Sequence, residues 1–498
     1  MSTPHDEQVP PDPGFEPAPM SPESAREYEQ FMRATTEERT RRGWRDRAKS
    51  AFRERPRSSG QTQEYVPIDP AHDQRVLDLA LRMAEMLLTV GASVHDVTLT
   101  TLRIVRAYGL TTVHVDVTFD SIAVTLHRGH DQEPLTMVRV VNARTSDYTR
   151  LQRLQALVGQ IEEGLDVQVA RERYLDIIRA GHPYRRWIVL GSNGVLAAGV
   201  CLLLGASPVI MALAFVAAVG ASWLQRGLDR ASLPTFFKQM AGGFTVTAVA
   251  ILATGLDKYG IVDLAGLKPS LVVAAGIVMM LAGLSVVGAA QDALDGSYIT
   301  AGARTYEVAI LTLGIVVGIM LGLYAGQAVG IDINVETTVT SIGTGSEQVI
   351  GSVLVAAAFG VGSYAGPRTV LACTALGGFG MACYLVANFV GLGPVTAAAV
   401  SAMVSGVVSQ VAARRLVLPA LALSTAAIVP LMPGSVVFRG LLELVGPTYE
   451  QQGILPGVET ILSAAAIGLA LAAGVSLGTW VARPLKGKAF ARRRQSRV

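Results

Sequence analysis

The chain has 498 residues, of which 50% are hydrophobic and 16% are charged, and its mean hydropathy is +0.41. This composition exceeds what a soluble domain tolerates and predicts a membrane protein. A formal net charge of +3 is too small to indicate a nucleic-acid-binding protein. The three cysteines lie within apolar runs, with no histidine or cysteine at metal-ligand spacing, so neither a disulfide nor a metal site is predicted.

The amino-terminal region, residues 1–68, is rich in Pro, Glu, Arg and Ser and has few large apolar side chains. Such a segment buries too little surface to offset the entropy of ordering, which predicts a disordered tail. Its first residues, "MSTPHDEQVPPDPGFEPAPM", have no apolar core and are not typical of a secretory signal. We therefore expect this tail to stay in the cytoplasm.

Residues 69–185 predict a small cytoplasmic α+β domain. The run "DQRVLDLALRMAEMLLTV" places apolar residues at three- and four-residue spacing, as in an amphipathic helix. Ser93, with Asp96 three residues later, predicts the start of a second helix that runs to about Tyr108. The β-branched runs "TTVHVDVTF", "SIAVTLHRG" and "PLTMVRVVN" predict three strands. Two amphipathic helices should follow, at about 147–163 and 167–180.

The rest of the chain contains about ten apolar segments near the length that spans about 30 Å of hydrocarbon as a helix. The long joint "AGQAVGIDINVETTVTSIGTGSEQ" divides them into two groups of five, at 186–330 and 331–483, and a basic tail at 484–498 follows. The predicted fold is a mostly α polytopic membrane protein with two inverted five-helix halves. The approximate centres are Ala197, Ala217, Thr247, Met280, Val317, Ala357, Gly378, Ser401, Leu423 and Ala470.

Lysines and arginines are concentrated on the joints that share a side with the amino-terminal domain. The positive-inside rule therefore predicts a bacterial plasma-membrane protein with both termini in the cytoplasm. Opposite joints carry only Lys258, Lys268 and Arg439. The joints on the domain's side carry Arg185, Arg186, Arg226, Arg230, Lys238, Arg304, Arg368, Arg414 and Arg415.

Two polar joints interrupt the apolar pattern at corresponding places in the two groups. "QDALDGSYITAG" contains Gly296, Ser297 and Gly302, and "LMPGSVVFRG" contains Pro433, Gly434, Ser435, Arg439 and Gly440. Each joint is followed by a glutamate, Glu307 or Glu459. An odd number of spans per half inverts the second half, and broken helices that aim backbone dipoles at a polar ligand are typical of inverted-repeat secondary transporters. The alternative is that Gly-Ser is an ordinary turn dipeptide.

Ionisable groups cluster around the first joint, at Asp292, Asp295, Arg304 and Glu307. Such groups are costly near membrane segments unless they are functional or solvated. The functional interpretation makes Asp292 or Glu307 a proton-accepting carboxylate and Arg304 its counter-charge. The alternative interpretation makes them ordinary residues of a cytoplasmic loop.

These segments, together with "LLTVGASVHDV" in the α+β domain, resemble the threonine/serine exporter family of bacteria and fungi, often called ThrE-type. The resemblance covers about residues 73–483 and implies proton-driven export of threonine, serine and other small amino acids, with no cofactor beyond the proton gradient. It assigns family motif positions to Asp292, Gly296, Gly302, Arg304, Glu307, Pro433, Gly434 and Arg439. Ser297 departs from the family pattern, in which we expect an acidic or amide residue.

Two other function classes compete with an exporter. His95, Asp96, His114, Asp116 and Ser121 would serve a membrane-anchored hydrolase or sensor, but a triad is defined by geometry that their spacing does not supply. A passive channel should show a repeated pore-lining motif, which is absent from the sequence. The duplicated polar joints favour a transporter, whose partners are amino acids, protons and lipid; the oligomeric state is left open.

Overall fold

The computed structural model describes residues 70–128, 133–141, 145–261, 268–280, 283–331, 343–445 and 454–482. The predicted tails at 1–68 and 484–498 lie outside the described residues. The described chain is mostly helical and includes one three-stranded sheet.

The α+β domain has its helices and strands where the sequence predicts them. Ser93 caps the second helix by accepting a hydrogen bond from the Asp96 amide at 3.1 Å. The strands form an antiparallel sheet in the order β1-β2-β3, and Ile122, Val124 and Leu126 of the central strand are fully buried. The elements are α1 (Pro70–Thr89), α2 (Val94–Ala107), β1 (Val113–Val117), β2 (Ser121–Leu126), β3 (Leu135–Val140), α3 (Tyr148–Glu162) and α4 (Val167–Arg179).

Two series of helices follow the domain. The first is α5 (Arg186–Leu203), α6 (Pro208–Arg230), α7 (Thr235–Lys258), α8 (Pro269–Met280), α9 (Gly283–Leu294) and α10 (Tyr298–Ala328). The second is α11 (Gly345–Gly362), α12 (Pro367–Phe389), α13 (Pro394–Leu416), α14 (Ala420–Ile428), α15 (Gly434–Val445) and α16 (Leu455–Val481). Within the described ranges, 8 of these helices are long and apolar enough to cross a membrane: α5, α6, α7, α10, α11, α12, α13 and α16.

The fourth segment of the second series is an interrupted helix. In the first series, the predicted span centred on Met280 corresponds to α8 and α9, and residues 281–282 between them lie outside the described residues. Helix α14 continues as the 3₁₀ turn Val429–Leu431, and Met432 and Pro433 separate that turn from α15. The break at Pro433 follows from the chemistry of proline. Pro433 has no backbone N–H to donate, and its ring would clash with the carbonyl group four residues earlier in a continuous helix.

The two series match in packing and in the lengths of their long helices. Those lengths are 18, 23, 24 and 31 residues in the first series, and 18, 23, 23 and 27 residues in the second. Helix α7 packs on α10 as α13 packs on α16, and α9 packs on α10 as α15 packs on α16. Helices α5 and α11, the first of each series, pack on each other.

The α+β domain contacts one set of helix ends, which we call the domain face. The Tyr148 amide donates to the Ser363 carbonyl at 3.0 Å, and Gln152 Nε2 donates to the Val417 carbonyl at 3.1 Å. The opposite ends form the far face, where Lys258 Nζ donates to the Gly330 carbonyl at 2.7 Å. The apolar core of the domain continues into the second series through Phe359, Cys373, Leu376, Leu418, Ala422, Leu423 and Ala426.

Glycines permit the closest helix crossings in both series. A Cβ at Gly318 of α10 would collide with the Met240 carbonyl of α7, and one at Gly478 of α16 would collide with the Met403 carbonyl of α13. Backbone approach of this kind is typical of membrane helices that associate through small residues. The crossings hold the long fifth segment of each series against the third.

Substituting Gly318 or Gly478 with valine should therefore lower the apparent Tm of the detergent-solubilised protein. Overpacking a close contact costs about 1–3 kcal/mol, and here the obstructing atom is backbone, which cannot rotate away. Thermal unfolding followed by tryptophan fluorescence measures the effect. Gly191→Ala in α5 is the matched control, because a Cβ there meets nothing within 4 Å. An unchanged Tm in both valine variants would contradict the assigned crossings.

Candidate functional site

A buried ion pair joins α9 of the first series to α10, the next helix. Arg304 Nη1 lies 3.0 Å from Asp292 Oδ2, and the two residues are 7% and 0% exposed. Asp292 lies near the end of α9 and Arg304 in the second turn of α10. Gly288, one turn before Asp292, leaves the space for the guanidinium, because a Cβ there would lie 2.8 Å from Arg304 Nη1.

The first Gly-Ser pair forms the turn that brings these two charges together. Gly296 has φ +88°, a left-handed conformation that glycine adopts without strain at a helix end. The Ser297 amide donates to the Asp292 carbonyl at 2.7 Å, which closes α9, and α10 begins at Tyr298. This turn reverses the chain, so that Arg304 returns to the level of Asp292.

The other candidates of the first series are more exposed than this pair. Asp295 and Gly302 are exposed, and Glu307 is half-buried on α10. Of the four charged candidates, only Asp292 and Arg304 are buried, and desolvated charges are stable in such a place only when paired. Asp292 and Arg304 are therefore the centre of the candidate site.

The α+β domain covers this pair. The backbone N–H of Val94, in the first turn of α2, points at Asp292 Oδ1 with an N···O distance of 3.5 Å. Unpaired N–H groups and the helix dipole make a helix N-terminus favourable for a carboxylate. Asp292 is thus held by a guanidinium from the membrane region and by a helix terminus from the domain.

The domain also holds the second series near its interrupted segment. The Tyr148 hydroxyl is hydrogen-bonded to the Thr425 side chain in α14, and the Tyr148 ring meets Phe359 edge-on at 6.0 Å. Burial raises the pKa of Tyr148 above its usual range, so this hydroxyl stays neutral. His182 stacks on Tyr364 with ring centroids 4.2 Å apart. One domain therefore contacts α9 of the first series and α14 of the second.

The second joint lies at the helix break between the Val429–Leu431 turn and α15. Pro433 and Gly434 are buried there, and the Gly434 amide donates to the Met432 carbonyl at 2.8 Å. Arg439 is half-buried on α15, and its Nε is buried without a hydrogen-bond partner among the described residues. Glu459 is exposed on α16. The side chain of Ser435 lies outside the described residues.

The two Gly-Ser pairs do not occupy equivalent places, contrary to the sequence prediction. Gly296 and Ser297 lie in the turn between α9 and α10, directly before the last long helix, whereas Gly434 and Ser435 begin α15, a whole helix before α16. The short motif match misaligned the halves because Gly-Ser serves a turn in one place and a helix start in the other.

Sequence reasoning missed three contributors to these contacts. Val94 and Gly288 act through backbone and through an absent side chain, which leave no chemical signature in the sequence. Glu443 of α15 accepts a hydrogen bond from Thr460 Oγ1 of α16 at 2.7 Å. Its place on α15, facing the start of α16, can be recognised only once the boundaries of these two helices are known.

The residues that a hydrolase would need are not assembled. Ser121 Oγ lies 2.7 Å from Thr118 Oγ1 within the same turn, and His114 and Asp116 are exposed on the edge strand β1. Asp96 takes part in the cap of α2. Over the described ranges, no hydrogen bond joins Ser121 to a histidine, and no group of His, Cys, Asp or Glu could hold a metal ion.

Comparison with known proteins gives matches along most of the chain. The family model described as "Putative threonine/serine exporter" matches residues 78–325, and the model described as "Threonine/Serine exporter, ThrE" matches residues 348–481. The family is one of membrane transporters, not enzymes. No solved structure matches.

Two curated relatives cover most of the chain. The "Probable threonine/serine exporter" of Mycobacterium tuberculosis is 35% identical over 454 residues, which are 89% of this chain and 82% of the relative. The "Threonine/serine exporter" of Corynebacterium glutamicum is 32% identical over 429 residues, which are 84% of this chain and 86% of the relative.

Removing one charge of the buried pair should destabilise the protein more than removing both. Arg304→Ala leaves the Asp292 carboxylate buried without its cation, a loss of about 3–5 kcal/mol, whereas Asp292→Asn/Arg304→Gln leaves two neutral amides. Thermal unfolding in detergent measures the difference. Lys238→Ala breaks the Asp229–Lys238 pair, whose Asp229 is exposed, and should change stability by about 0–1 kcal/mol. A double variant as unstable as Arg304→Ala would contradict this account.

Tyr148→Phe should loosen the domain from the second series. The substitution keeps the ring against Phe359 but leaves the Thr425 hydroxyl without its partner, at a cost of about 1–3 kcal/mol. Amide hydrogen exchange should then become faster in α3 and α14 together. Tyr259→Phe, at an exposed tyrosine on the far face, is the control. Faster exchange in α3 alone would indicate that the hydroxyl stabilises the domain rather than its docking.

Proposed function

The chain belongs to the threonine/serine exporter family, and on this premise we propose that it exports threonine and serine by alternating access, coupled to proton entry. The observation that carries the proposal is two helix series with matched packing, the second of which has a helix interrupted at Met432 and Pro433. Discontinuous helices within repeated helix bundles are typical of the substrate sites of secondary transporters.

The direction of the chain supports an inverted relation between the two series. Helix α9 ends at the domain face, where Asp292 meets Val94, whereas α14 begins there, next to Val417. Helix α5 likewise starts directly after the domain, and α11 ends at Gly362, next to Ser363, which contacts the domain. Equivalent helices therefore run in opposite directions relative to the domain, as two inversely inserted halves require.

The helix break of the second series offers suitable chemistry for an amino acid. It exposes the N-terminus of α15, which favours a carboxylate, and the C-terminus of the Val429–Leu431 turn, which favours an ammonium group. Non-helical backbone at membrane depth is tolerated only where it faces protein or water. The proposed site therefore lies at this break, close to buried Pro433 and Gly434.

The packing of the half-helices supports alternating access. Helix α9 packs on α16 of the other series, but its counterpart α15 packs on α8 and has no comparable packing on α10 among the described residues. The within-series packing is matched, so the asymmetry is concentrated in α9 and α15. In a two-state transporter these half-helices would exchange environments as the site turns from one face to the other.

We assign the coupling carboxylate to Asp292, at the domain face, with Arg304 as its counter-charge. A carboxylate that exchanges a cationic partner for a proton can link proton movement to helix movement. The domain face is the cytoplasmic face on the positive-inside rule. Opening of this face requires the Val94 amide to leave Asp292, which gives the domain a place in the transport cycle.

The substrate assignment is tested by counterflow in proteoliposomes. Vesicles that contain the purified protein and unlabelled threonine should accumulate labelled threonine and serine, and larger amino acids should compete weakly. Protein-free vesicles and vesicles with Arg304→Ala are the controls. If labelled threonine and serine equilibrate no faster than in empty vesicles, the proposed substrate class is wrong.

Proton coupling is tested with the neutral variant Asp292→Asn/Arg304→Gln, which avoids an unpaired buried charge. This variant should insert into the membrane and show a sharp melting transition. Its uncoupler-sensitive threonine efflux from dipeptide-loaded cells should be at least tenfold lower than that of the wild type, because neither amide exchanges a proton. Asp229→Asn, an exposed carboxylate of the same face, should keep wild-type efflux. Full uncoupler-sensitive efflux in the double variant would remove Asp292 from the coupling mechanism.

A further inference from the structure

The second series contains a polar pair in the place that corresponds to the Asp292–Arg304 pair. Asp292 lies on α9 and Glu443 on α15, the helix that precedes the last long helix of each series. Their partners, Arg304 and Thr460, both lie in the second turn of the following long helix.

The local packing of the two pairs is also alike. Each half-helix carries a glycine on the side of the following helix, Gly288 beside Arg304 and Gly440 beside Ile461. A Cβ at Gly440 would lie 2.7 Å from Ile461 Cγ1, and one at Gly457 would lie 2.8 Å from the Gly440 carbonyl oxygen. Helix α15 thus lies against α16 as closely as Gly288 allows α9 to lie against α10.

The two pairs lie at opposite faces. Thr460 is near the start of α16, and the end of α16 is at the domain face, where Arg414 Nη2 donates to the Ala482 carbonyl at 3.1 Å. The 27 residues of α16 therefore place Thr460 toward the far face. Asp292, in contrast, lies at the domain face against Val94.

The chemistry of the pairs differs in strength. Asp292 and Arg304 are opposite charges, whereas Glu443 meets a neutral hydroxyl, which donates to it at 2.7 Å. Separating a hydrogen bond that has one charged partner costs less free energy than separating a buried ion pair. No domain covers the far face among the described residues. The far-face pair is therefore the more easily opened of the two.

We propose that Glu443 and Thr460 form an outer pair that closes the transport path at the far face, as the counterpart of the inner pair Asp292 and Arg304. The proposal deepens the proposed function and rests on it. Both pairs are formed in this structure, which is then a state closed at both faces. Export requires the inner pair to open first and the outer pair afterwards.

The test locks the outer pair. Glu443→Cys/Thr460→Cys, with the three native cysteines replaced by alanine, is reconstituted and treated from the far face with a short, membrane-impermeant bifunctional thiol reagent that a reductant cleaves. Threonine counterflow should fall at least tenfold on cross-linking and recover on reduction. The two single-cysteine variants, given the same reagent, control for simple modification. Counterflow that continues at the unlocked rate after complete cross-linking would overturn the proposal.

A second measurement needs no transport. A reporter cysteine at Val94, buried against Asp292, is labelled by an impermeant maleimide from the domain face. Locking the outer pair should restrict the protein to states that are closed at the far face, including those that open at the domain face. The labelling rate of the cysteine at position 94 should then rise severalfold. If the wild type shows no counterflow, the proposed substrates are wrong, and the labelling rate alone decides: an increase supports a two-pair path for another substrate, and no change refutes the outer pair.

Substitutions that preserve shape separate closing from folding. Thr460→Val removes the hydroxyl donor, whereas Glu443→Gln keeps an oxygen that accepts from Thr460. We expect Thr460→Val to reduce counterflow by about tenfold and Glu443→Gln to retain most of it, with sharp melting transitions in both. Asp257→Asn, an exposed carboxylate at the same face, is the control. Equal loss in Glu443→Gln and Thr460→Val would contradict closure by this hydrogen bond.

Discussion

Two opposite charges that are both removed from water must compensate each other, and Asp292 and Arg304 meet this requirement at 3.0 Å. Several other features of the first series serve that contact. The left-handed Gly296 reverses the chain, Gly288 leaves space for the guanidinium, and the α2 terminus supplies a further donor. The pair thereby links α9, the long helix α10 and the α+β domain.

The second constraint is the backbone of the helix breaks. A break leaves amides and carbonyls unpaired, and a bilayer offers them no water, so the break must face protein or a hydrated path. The described chain has such a break at Met432 and Pro433, between the Val429–Leu431 turn and α15. The glycine crossings at Gly318 and Gly478 hold the last long helix of each series against the third helix.

The α+β domain contacts both series rather than one. Val94 meets α9, and Tyr148 and Tyr364 join the domain to the second series. A domain that shares a continuous apolar core with α12 and α14 cannot move without disturbing them. Over the described residues, this arrangement gives a domain without assembled catalytic residues direct contact with both helix series.

The sequence by itself determined which region is apolar enough for a lipid bilayer, which region is polar, and the order of the elements. Hydropathy predicted the membrane region, and periodicity with capping residues predicted the helices and strands of the α+β domain, because both signals are local. The charge cluster at Asp292 and Arg304 could also be found in the sequence, since charge is rare between apolar runs. The family resemblance, carried by the same motifs, was correct.

Only the tertiary structure decided which of those residues meet. It placed Asp292 against Arg304 at 3.0 Å, showed the helix break before Gly434, and placed Glu443 against Thr460. The contact of Asp292 with Val94 spans 198 residues of sequence. Such contacts depend on how closely distant backbones approach, and that distance is set by packing across the whole fold rather than by any local pattern.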